Sequence, residues 1–276
     1  VSNFESKYCS FNLTDETGEI YVYSVLDESK TEWANKITDG GILMYNEEDQ
    51  TVKQIVEEAT KPIRKIAYAT PEYTIDNGVT LLETPEGPMP IEVFGAHNLN
   101  NLAGAKWICQ NMGIDEEDFY EAIQSFKGAA KRLEKIAQTS SAVAYKDFAH
   151  SPSKVKATTQ AVKKQYPNKK LIACLELHTY SSLNTEFLSQ YEGALDAADV
   201  AVVFYSPDAV AIKKLEEISK EQIESAFNRN DLIVYTNPDD FKSFLLVQEF
   251  NEAVLLLMSS GNYGGLDFDQ VKSYIS

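Results

Sequence analysis

From residue 142 onward, short apolar runs alternate with amphipathic stretches, and that rhythm leaves the chain few folds to choose from. Runs at 142–145, 170–175, 200–204, 232–235 and 253–258 read as strands, with helical patterns at 153–165, 185–194, 218–227 and 238–249 between them. The runs are apolar on both faces, as parallel strands are when helices cover both sides of their sheet. Strand and helix in regular succession predict a doubly wound, Rossmann-like α/β domain with right-handed connections. Ligands of such sheets bind just beyond the carboxyl ends of the strands.

Before that alternation the pattern is mixed. Residues 1–25 hold two alternating apolar runs around Thr17-Gly18, which read as a hairpin with one solvated face, and 28–37 reads as a helix ending near Asp39-Gly40-Gly41. A buried strand at 42–45, a helix at 50–59 and a strand at 63–68 follow. Strands at 80–83 and 91–94, joined through the turn residues Thr84-Pro85-Glu86-Gly87-Pro88, predict an antiparallel edge of the same sheet. Two helices, 99–111 and 115–126, are separated by Gly113; Phe119, Ala122, Ile123 and Phe126 share one face of the second. The helical pattern stops within the small, basic stretch 127–134. The domain junction is placed there, dividing an α/β domain at 1–128 from the doubly wound domain at 129–276.

Acidic residues outnumber basic ones 42 to 25, which argues against a nucleic-acid partner while leaving room for a local basic phosphate pocket. Cys9, Cys109 and Cys174 are far apart and odd in number, so they read as reduced thiols of a cytoplasmic protein rather than a disulfide framework or metal cluster. No uncharged run approaches a membrane span, and no signal segment opens the chain. It begins at Val1 rather than a methionine, which points to processing or to part of a longer product.

Polar residues gather at one helix start and several strand ends. A strand runs into Gly95, and His97, Asn98 and Asn101 then fall on one side of an opening helical turn, either as a ligand site or with His97 or Asn98 as the N-cap. Asn46-Glu47-Glu48-Asp49 ends a strand and either caps the next helix or meets a ligand. Asp147 is suited to accept from ribose hydroxyls. His150 precedes a proline-opened helix whose amides can face a phosphate; in the alternative, Ser151 or Ser153 is simply a cap. Glu176 and His178 are neighbours on one strand face but too few for a zinc site, and the loop through Ser181 and Asn184 is suited to a peptide or carboxylate. Residues 259–265, with Asn262 among three glycines, form a candidate anion nest. No G-x-x-x-x-G-K-[ST], nicotinamide fingerprint or G-x-S-x-G is present, which argues against a complete phosphate loop, a dehydrogenase and a serine hydrolase.

Three of these stretches, in this order, resemble motifs of the ATP-dependent Mur ligases: Phe94-Gly95-Ala96-His97-Asn98-Leu99-Asn100-Asn101 with Ala103 and Ala105; Arg132 and Glu134 after Phe126-Lys127-Gly128; and Asp147-Phe148-Ala149-His150-Ser151-Pro152. The wording is most similar to the peptide-recycling branch, which joins UDP-N-acetylmuramate to the murein tripeptide L-alanyl-γ-D-glutamyl-meso-diaminopimelate through an acyl phosphate. The resemblance covers roughly residue 37 to the end and leaves 1–32 unassigned. It implies the remainder of the family's central domain followed by its whole C-terminal domain. It implies ATP and Mg²⁺ as cofactors, and no metal ligand within this chain. His97, Asn98, Asn101 and Asp147 are implied as nucleotide contacts, Arg132 and His150 as catalytic residues on the phosphate side. Glu176, His178, Ser181, Asn184 and Asn262 are implied as substrate contacts. Leu177 and His178 depart from the proline and arginine of that branch.

The UDP-binding domain and the phosphate loop of the family have no counterpart in the sequence. This chain alone is therefore expected not to ligate, and a non-catalytic module that binds peptide or nucleotide is the competing expectation.

Overall fold

The computed structural model describes residues 8–15, 18–25, 37 and 39–275. They fall into two units, one comprising Val1–Tyr73, Leu82–Met89 and Ala96–Ser125, the other Thr74–Leu81, Pro90–Gly95 and Phe126–Ser276. In the first unit, β1 (Tyr8–Asp15) and β2 (Gly18–Val25) pair antiparallel with Asp15 opposite Gly18, which is the expected hairpin. Its solvated face, Thr17 and the helix expected from residue 28 lie outside the described residues, except for Ile37.

β3 (Ile42–Asn46) and β4 (Arg64–Tyr68) pair in parallel, and α1 (Gln50–Glu58) is the crossover between them. The choice left open for 46–49 is settled at its last residue: Asp49 caps α1, accepting from the amides of Thr51 and Val52 at 3.0 Å. Ile37, Leu43 and Val56 form the small core beneath them.

β5 (Tyr73–Asp76), β6 (Val79–Thr84) and β7 (Gly87–Ile91) make a separate three-stranded sheet instead of an edge on β3–β4. The strand expected at 91–94 lies earlier and contains Pro88 and Pro90. Set two residues apart on an edge strand, both prolines place their missing N–H on the same outer side, so no ladder bond is lost.

α2 (Ala96–Asn111) and α3 (Glu116–Gln124) complete the first unit, with Gly113 between them at φ +90°. On α3 only Phe119 is buried, whereas Ala122 and Phe126 are exposed, so the expected four-residue apolar face is not used. α2 approaches β4 closely because Gly104 has no side chain to keep the Tyr68 ring away.

The second unit is built on a six-stranded sheet. β8 (Glu134–Gln138) pairs antiparallel with β9 (Ala142–Asp147) across a bulge. α4 (Pro152–Gln165) leads to β10 (Lys170–Leu177), and α5 (Thr185–Leu188) leads to β11 (Val200–Tyr205). α6 (Pro207–Ile212) and α7 (Lys220–Phe227) precede β12 (Ile233–Tyr235). α8 (Pro238–Leu246) returns the chain to β13 (Ala253–Met258), and α9 (Phe268–Tyr274) follows.

The order β12-β11-β10-β13-β9-β8 makes five parallel strands with an antiparallel edge, the mixed α/β sheet of a Rossmann-like domain. β8, α6 and α9 were not legible in the periodicity, and the helix expected at 185–194 shortens to α5 plus a 3₁₀ turn at Ser189–Tyr191.

Side-chain parity divides the core in two. Val143, Tyr145, Leu171, Ala173, Val254 and Leu256 face α4 and α7, while Ala144, Ile172, Cys174, Val202, Leu255 and Leu257 face α8 and α9. Burial at Cys174 pushes its thiol pKa up, so it packs as an apolar residue. Segments 74–81 and 90–95 seat on the end of α4. Gln165 donates to Gly78 O at 2.8 Å and accepts from Thr80 at 3.2 Å, and Phe94 meets Tyr145 edge-on with centroids 5.2 Å apart.

A methyl at Gly104 would lie 3.0 Å from Cζ of Tyr68. Gly104→Ala gains roughly 1 kcal/mol of helix propensity but overpacks this contact, at a cost of about 1–3 kcal/mol. The expected net result is a lower urea midpoint for the first unit, recovered in the double variant with Tyr68→Leu; an unchanged or raised midpoint in the single variant would show that the approach is not tight.

Candidate functional site

In the first unit the resemblance-implied trio sits at the start of α2. The helix opens at Ala96, directly after Gly95 at φ +88°, so His97 and Asn98 occupy its first turn and neither is the N-cap. His97 and Asn98 are half-buried and Asn101 is exposed. Between them Asn100, to which no role was given, is the buried member of the turn at 7% exposure. Its Nδ2 lies 3.2 Å from Asn46 Oδ1, 3.0 Å from Glu48 Oε2 and 3.3 Å from Thr70 Oγ1. Glu48 also accepts from the Thr70 amide at 3.1 Å and its hydroxyl at 2.7 Å. Thus Asn46 and Glu48 tie the carboxyl ends of β3 and β4 to this turn.

In the second unit the chain crosses from β9 to β10 and leaves a gap that β13 later fills, so the loops after β9, β13 and β10 are neighbours along one sheet edge. Asp147 ends β9 with its carboxylate buried at 3% exposure. Its Oδ2 accepts from the Leu133 amide and its Oδ1 from the Ala149 amide, both at 2.7 Å. The carboxylate that sequence reasoning offered to a ribose is therefore engaged in bracing backbone on both sides, with one lone pair per oxygen remaining.

What it braces is the turn carrying Arg132. Lys131 and Leu133 lie on either side at φ +59° and +46°, the left-handed region that side chains seldom adopt, and the Phe148 amide donates to Lys131 O at 2.9 Å. The Arg132 guanidinium is exposed and makes no hydrogen bond or ion pair among the described residues.

His150 lies on the same strand end. Its Nδ1 is 2.8 Å from Phe148 O, an acceptor only, so Nδ1 carries the proton and Nε2 is left for a ligand. The His150 carbonyl accepts from the hydroxyl of the fully buried Tyr191, whose phenol pKa is pushed up by burial. Ser151 is the N-cap of α4 but makes no side-chain cap bond, and no acidic residue occupies the first turn. Ser151 thus stands at the cap position expected of it, without its side chain satisfying a helix amide.

At the end of β10, Glu176 is buried at 3% exposure and fastens the loop after β13. Its Oε2 accepts from the Ser259 hydroxyl and from the Tyr263 amide, the latter at 2.9 Å. Tyr263 donates onward to Cys174 O at 2.7 Å or Met258 O at 2.9 Å. His178 does join Glu176, with Nδ1 3.7 Å from Oε1, and remains 43% exposed.

Ser181 is exposed and its Oγ lies 3.2 Å from Thr179 Oγ1. Asn184 spends its side-chain oxygen capping α5, accepting from Glu186 N at 2.9 Å, which leaves its amide donors outward. Asn262 is exposed, with its oxygen 3.2 Å from Gly265 N. Sequence reasoning missed Tyr191 and gave no individual role to Asn100, Ser259 or Tyr263, although the stretches 94–101 and 259–265 were singled out. All four act through backbone or buried partners far away in sequence, and only Gly261, flanked by Ser259 and Tyr263, carried a hint of close packing. Among the described residues no three His, Cys, Asp or Glu side chains converge as a metal site, and no helix is long and apolar enough to cross a membrane.

A doubly wound sheet whose strand ends carry an exposed arginine, a half-buried histidine and a pinned glycine loop has the architecture of α/β proteins whose ligands bind beyond the carboxyl ends of the strands. No family model matches the chain. UDP-N-acetylmuramate–L-alanine ligase of Agathobacter rectalis is 27% identical over 291 residues, covering 98% of this chain and 62% of that protein. The enzyme of the same name from Caldicellulosiruptor bescii is 28% identical over 193 residues, covering 64% and 41%.

Among solved structures, MurF of Acinetobacter baumannii aligns with a TM-score of 0.62 at 16% identity, over 89% of this chain and 53% of that one. A murein peptide ligase of Psychrobacter arcticus aligns with a TM-score of 0.54 at 16% identity, over the same shares. These structural likenesses establish the fold. In sequence the chain is similar to these UDP-N-acetylmuramate–L-alanine ligases at 27% and 28% identity. It spans 41% to 62% of the length of the two curated relatives.

A Cβ added at Gly261 would lie 2.8 Å from Glu176 Oε2 and 3.1 Å from His178 Cγ. Gly261→Ala should break the clamp between Glu176 and the Tyr263 amide; a hydrogen bond to a charged group is worth about 1.5–3 kcal/mol, so exchange of that amide should quicken by roughly ten- to a hundredfold. Unchanged protection at Tyr263 in hydrogen-exchange measurements would mean the loop is held by other contacts.

Proposed function

We propose that this chain supplies the distal part of an ATP-dependent Mur ligase, which forms an amide bond on the lactyl carboxylate of UDP-N-acetylmuramate in the cytoplasm. One observation carries the reading: Asp147 and the Phe148 amide hold the Arg132 turn against the strand end that leads, through His150, into an uncapped helix N-terminus. An unpaired guanidinium and unpaired helix amides, both set by the end of β9, favour an anionic group between substrate and nucleotide. In this reading the 1–128 and 129–276 portions act as central and C-terminal domains. Asn98 and Asn101, with His97, contact adenine, and Asp147 keeps spare lone pairs toward a ribose hydroxyl.

The residues suit the adenosine portion and an anionic edge, but not the magnesium triphosphate. The sequence contains no lysine-bearing phosphate loop, and no residue of this chain is assigned to Mg²⁺. In the complete protein the carboxylate would take the γ-phosphoryl group of ATP with release of ADP, and the amine would then displace phosphate from the acyl phosphate. Arg132 offsets the charge that builds on the oxygens, and His150 holds a proton at Nδ1 so that Nε2 faces the reacting groups. His178, Ser181, Asn184 and Asn262 orient the amine substrate, while Glu176 sets the Asn262 loop.

The amine is the murein tripeptide if the motif wording is followed, which makes the step one of peptidoglycan recycling. The names of the curated relatives favour a second reading in which the amine is L-alanine. Ligation is tested on the longest polypeptide that contains this sequence, with UDP-N-acetylmuramate, ATP and either amine, following ADP and product. Product with one amine alone fixes the substrate; nucleotide binding without product from either would make the chain a binding module.

In the active protein Arg132→Ala should lower kcat by about 10²-fold, the scale of losing one charge-stabilising donor. Asn101→Ala should act mainly on KM for ATP. Steady-state kinetics in which both variants match the parent would remove these residues from the site.

A further inference from the structure

The first turn of α2 is held in place by polar side chains at the ends of β3 and β4. Asn100 is the only one of the three asparagines at 98, 100 and 101 that is fully buried, and its single Nδ2 group faces three oxygen acceptors from two strand ends. Glu48 gathers Thr70's amide, Thr70's hydroxyl and Asn100 Nδ2, while Asn46 Oδ1 accepts from the Glu48 amide at 3.0 Å. The network closes on itself, because each residue in it touches at least two of the others. Three separate pieces of chain, the ends of β3 and β4 and the start of α2, are thereby fixed to one another through side chains.

An apolar residue at position 100 would bury the helix face at less polar cost, and leucines already do so at 99 and 102. Four polar groups in one half-buried cluster are not required to pack a helix on a two-stranded parallel sheet. What the cluster adds is direction: a leucine allows the helix to slide and rotate, whereas a donor with three fixed acceptors sets its rotation and axial position. Within three residues of it on the same turn lie the side chains at 97, 98 and 101.

We propose that Asn100, through Glu48, Thr70 and Asn46, is a positioning residue that sets the rotation of α2's first turn and so makes His97, Asn98 and Asn101 competent to hold an adenine ring. It touches no ligand itself. The inference rests on the reading that this turn contacts adenine, and it gives a duty to Asn100, which the resemblance left without one.

The test uses the chain as it stands, with AMP as the probe, read by amide chemical-shift changes at residues 96–102 and by the fitted dissociation constant. The expected result is a roughly tenfold or greater loss of AMP affinity in Asn100→Leu and a similar loss in Glu48→Gln. The double variant should be little worse than either single one, since both open the same lock. Val56→Ala, a cavity in the small core with Ile37 and Leu43 and outside the cluster's hydrogen bonds, serves as a stability control: it should lower the melting temperature and leave AMP affinity unchanged. If Asn100→Leu does not fold, Thr70→Val removes one hydroxyl at nearly constant volume and should weaken AMP binding by a smaller factor.

AMP binding to Asn100→Leu that equals the parent's, while Asn101→Ala abolishes it, would overturn the positioning role and leave the adenine reading intact. Parent chain showing no shifts at 96–102 with AMP would overturn both. Affinity that falls in Val56→Ala as far as in Asn100→Leu would reduce Asn100 to a contribution to stability and overturn the proposal.

Discussion

Two backbone amides converge on one buried carboxylate, and much of the second unit's sheet edge depends on that convergence. Asp147 accepts from Leu133 on one side and Ala149 on the other at 2.7 Å. Neither amide belongs to regular structure, and each would otherwise be a buried donor without a partner, at a cost of about 1–3 kcal/mol. The first of them fixes a turn with two side-chain-bearing residues in left-handed conformation, a geometry that persists only where its surroundings demand it. The second sets the bend by which β9 gives way to α4. Removing the carboxylate would release both at once, so the placement of Arg132 and of His150 is a single property of the strand end rather than two.

The same arrangement recurs two strands away, beyond β13. Glu176 at the end of β10 is to the loop after β13 what Asp147 is to the turn before β8, with Tyr263 and Ser259 as its dependants. In both cases an acidic residue that looks from sequence like a ligand contact lies almost wholly inside the protein and shapes the loop that carries the exposed polar groups. The division of labour is consistent: buried acids hold, and exposed Arg132, Asn262 and Ser181 are left to meet solutes. Asn100 in the first unit follows the same logic with an amide in place of a carboxylate.

This explains how far the sequence could be read. The five parallel strands were legible because their apolar runs are uninterrupted, and α4 and α8 because a proline opens each at the start of an amphipathic stretch. β8 was not, since Glu134, Lys135 and Gln138 give it the composition of a solvated turn and only its pairing with β9 makes it a strand. α9 hides behind a glycine-rich loop, and β7 behind two prolines that an edge position tolerates. At the site, the residue types were legible and their duties were not. Nothing local distinguishes a carboxylate that meets a ribose from one that meets the amide of a residue fourteen positions earlier, since that contact exists only once the sheet has formed. The motif order pointed to the superfamily, while the cluster around Asn100 joins positions 46, 48, 70 and 100, a spacing no linear pattern encodes.

The flanks of the six-stranded sheet bear on how this protein behaves when crowded. At one side β12 is only the stretch Ile233–Tyr235, and at the other β8 is interrupted by a bulge and dressed with charge. A neighbouring molecule seeking to extend the sheet finds on the one border too few unsatisfied main-chain groups, and on the other a register that does not match its own. The interior strands are hydrophobic enough to drive self-association if they were ever laid bare, so these blunt borders let so greasy a centre remain dispersed in water.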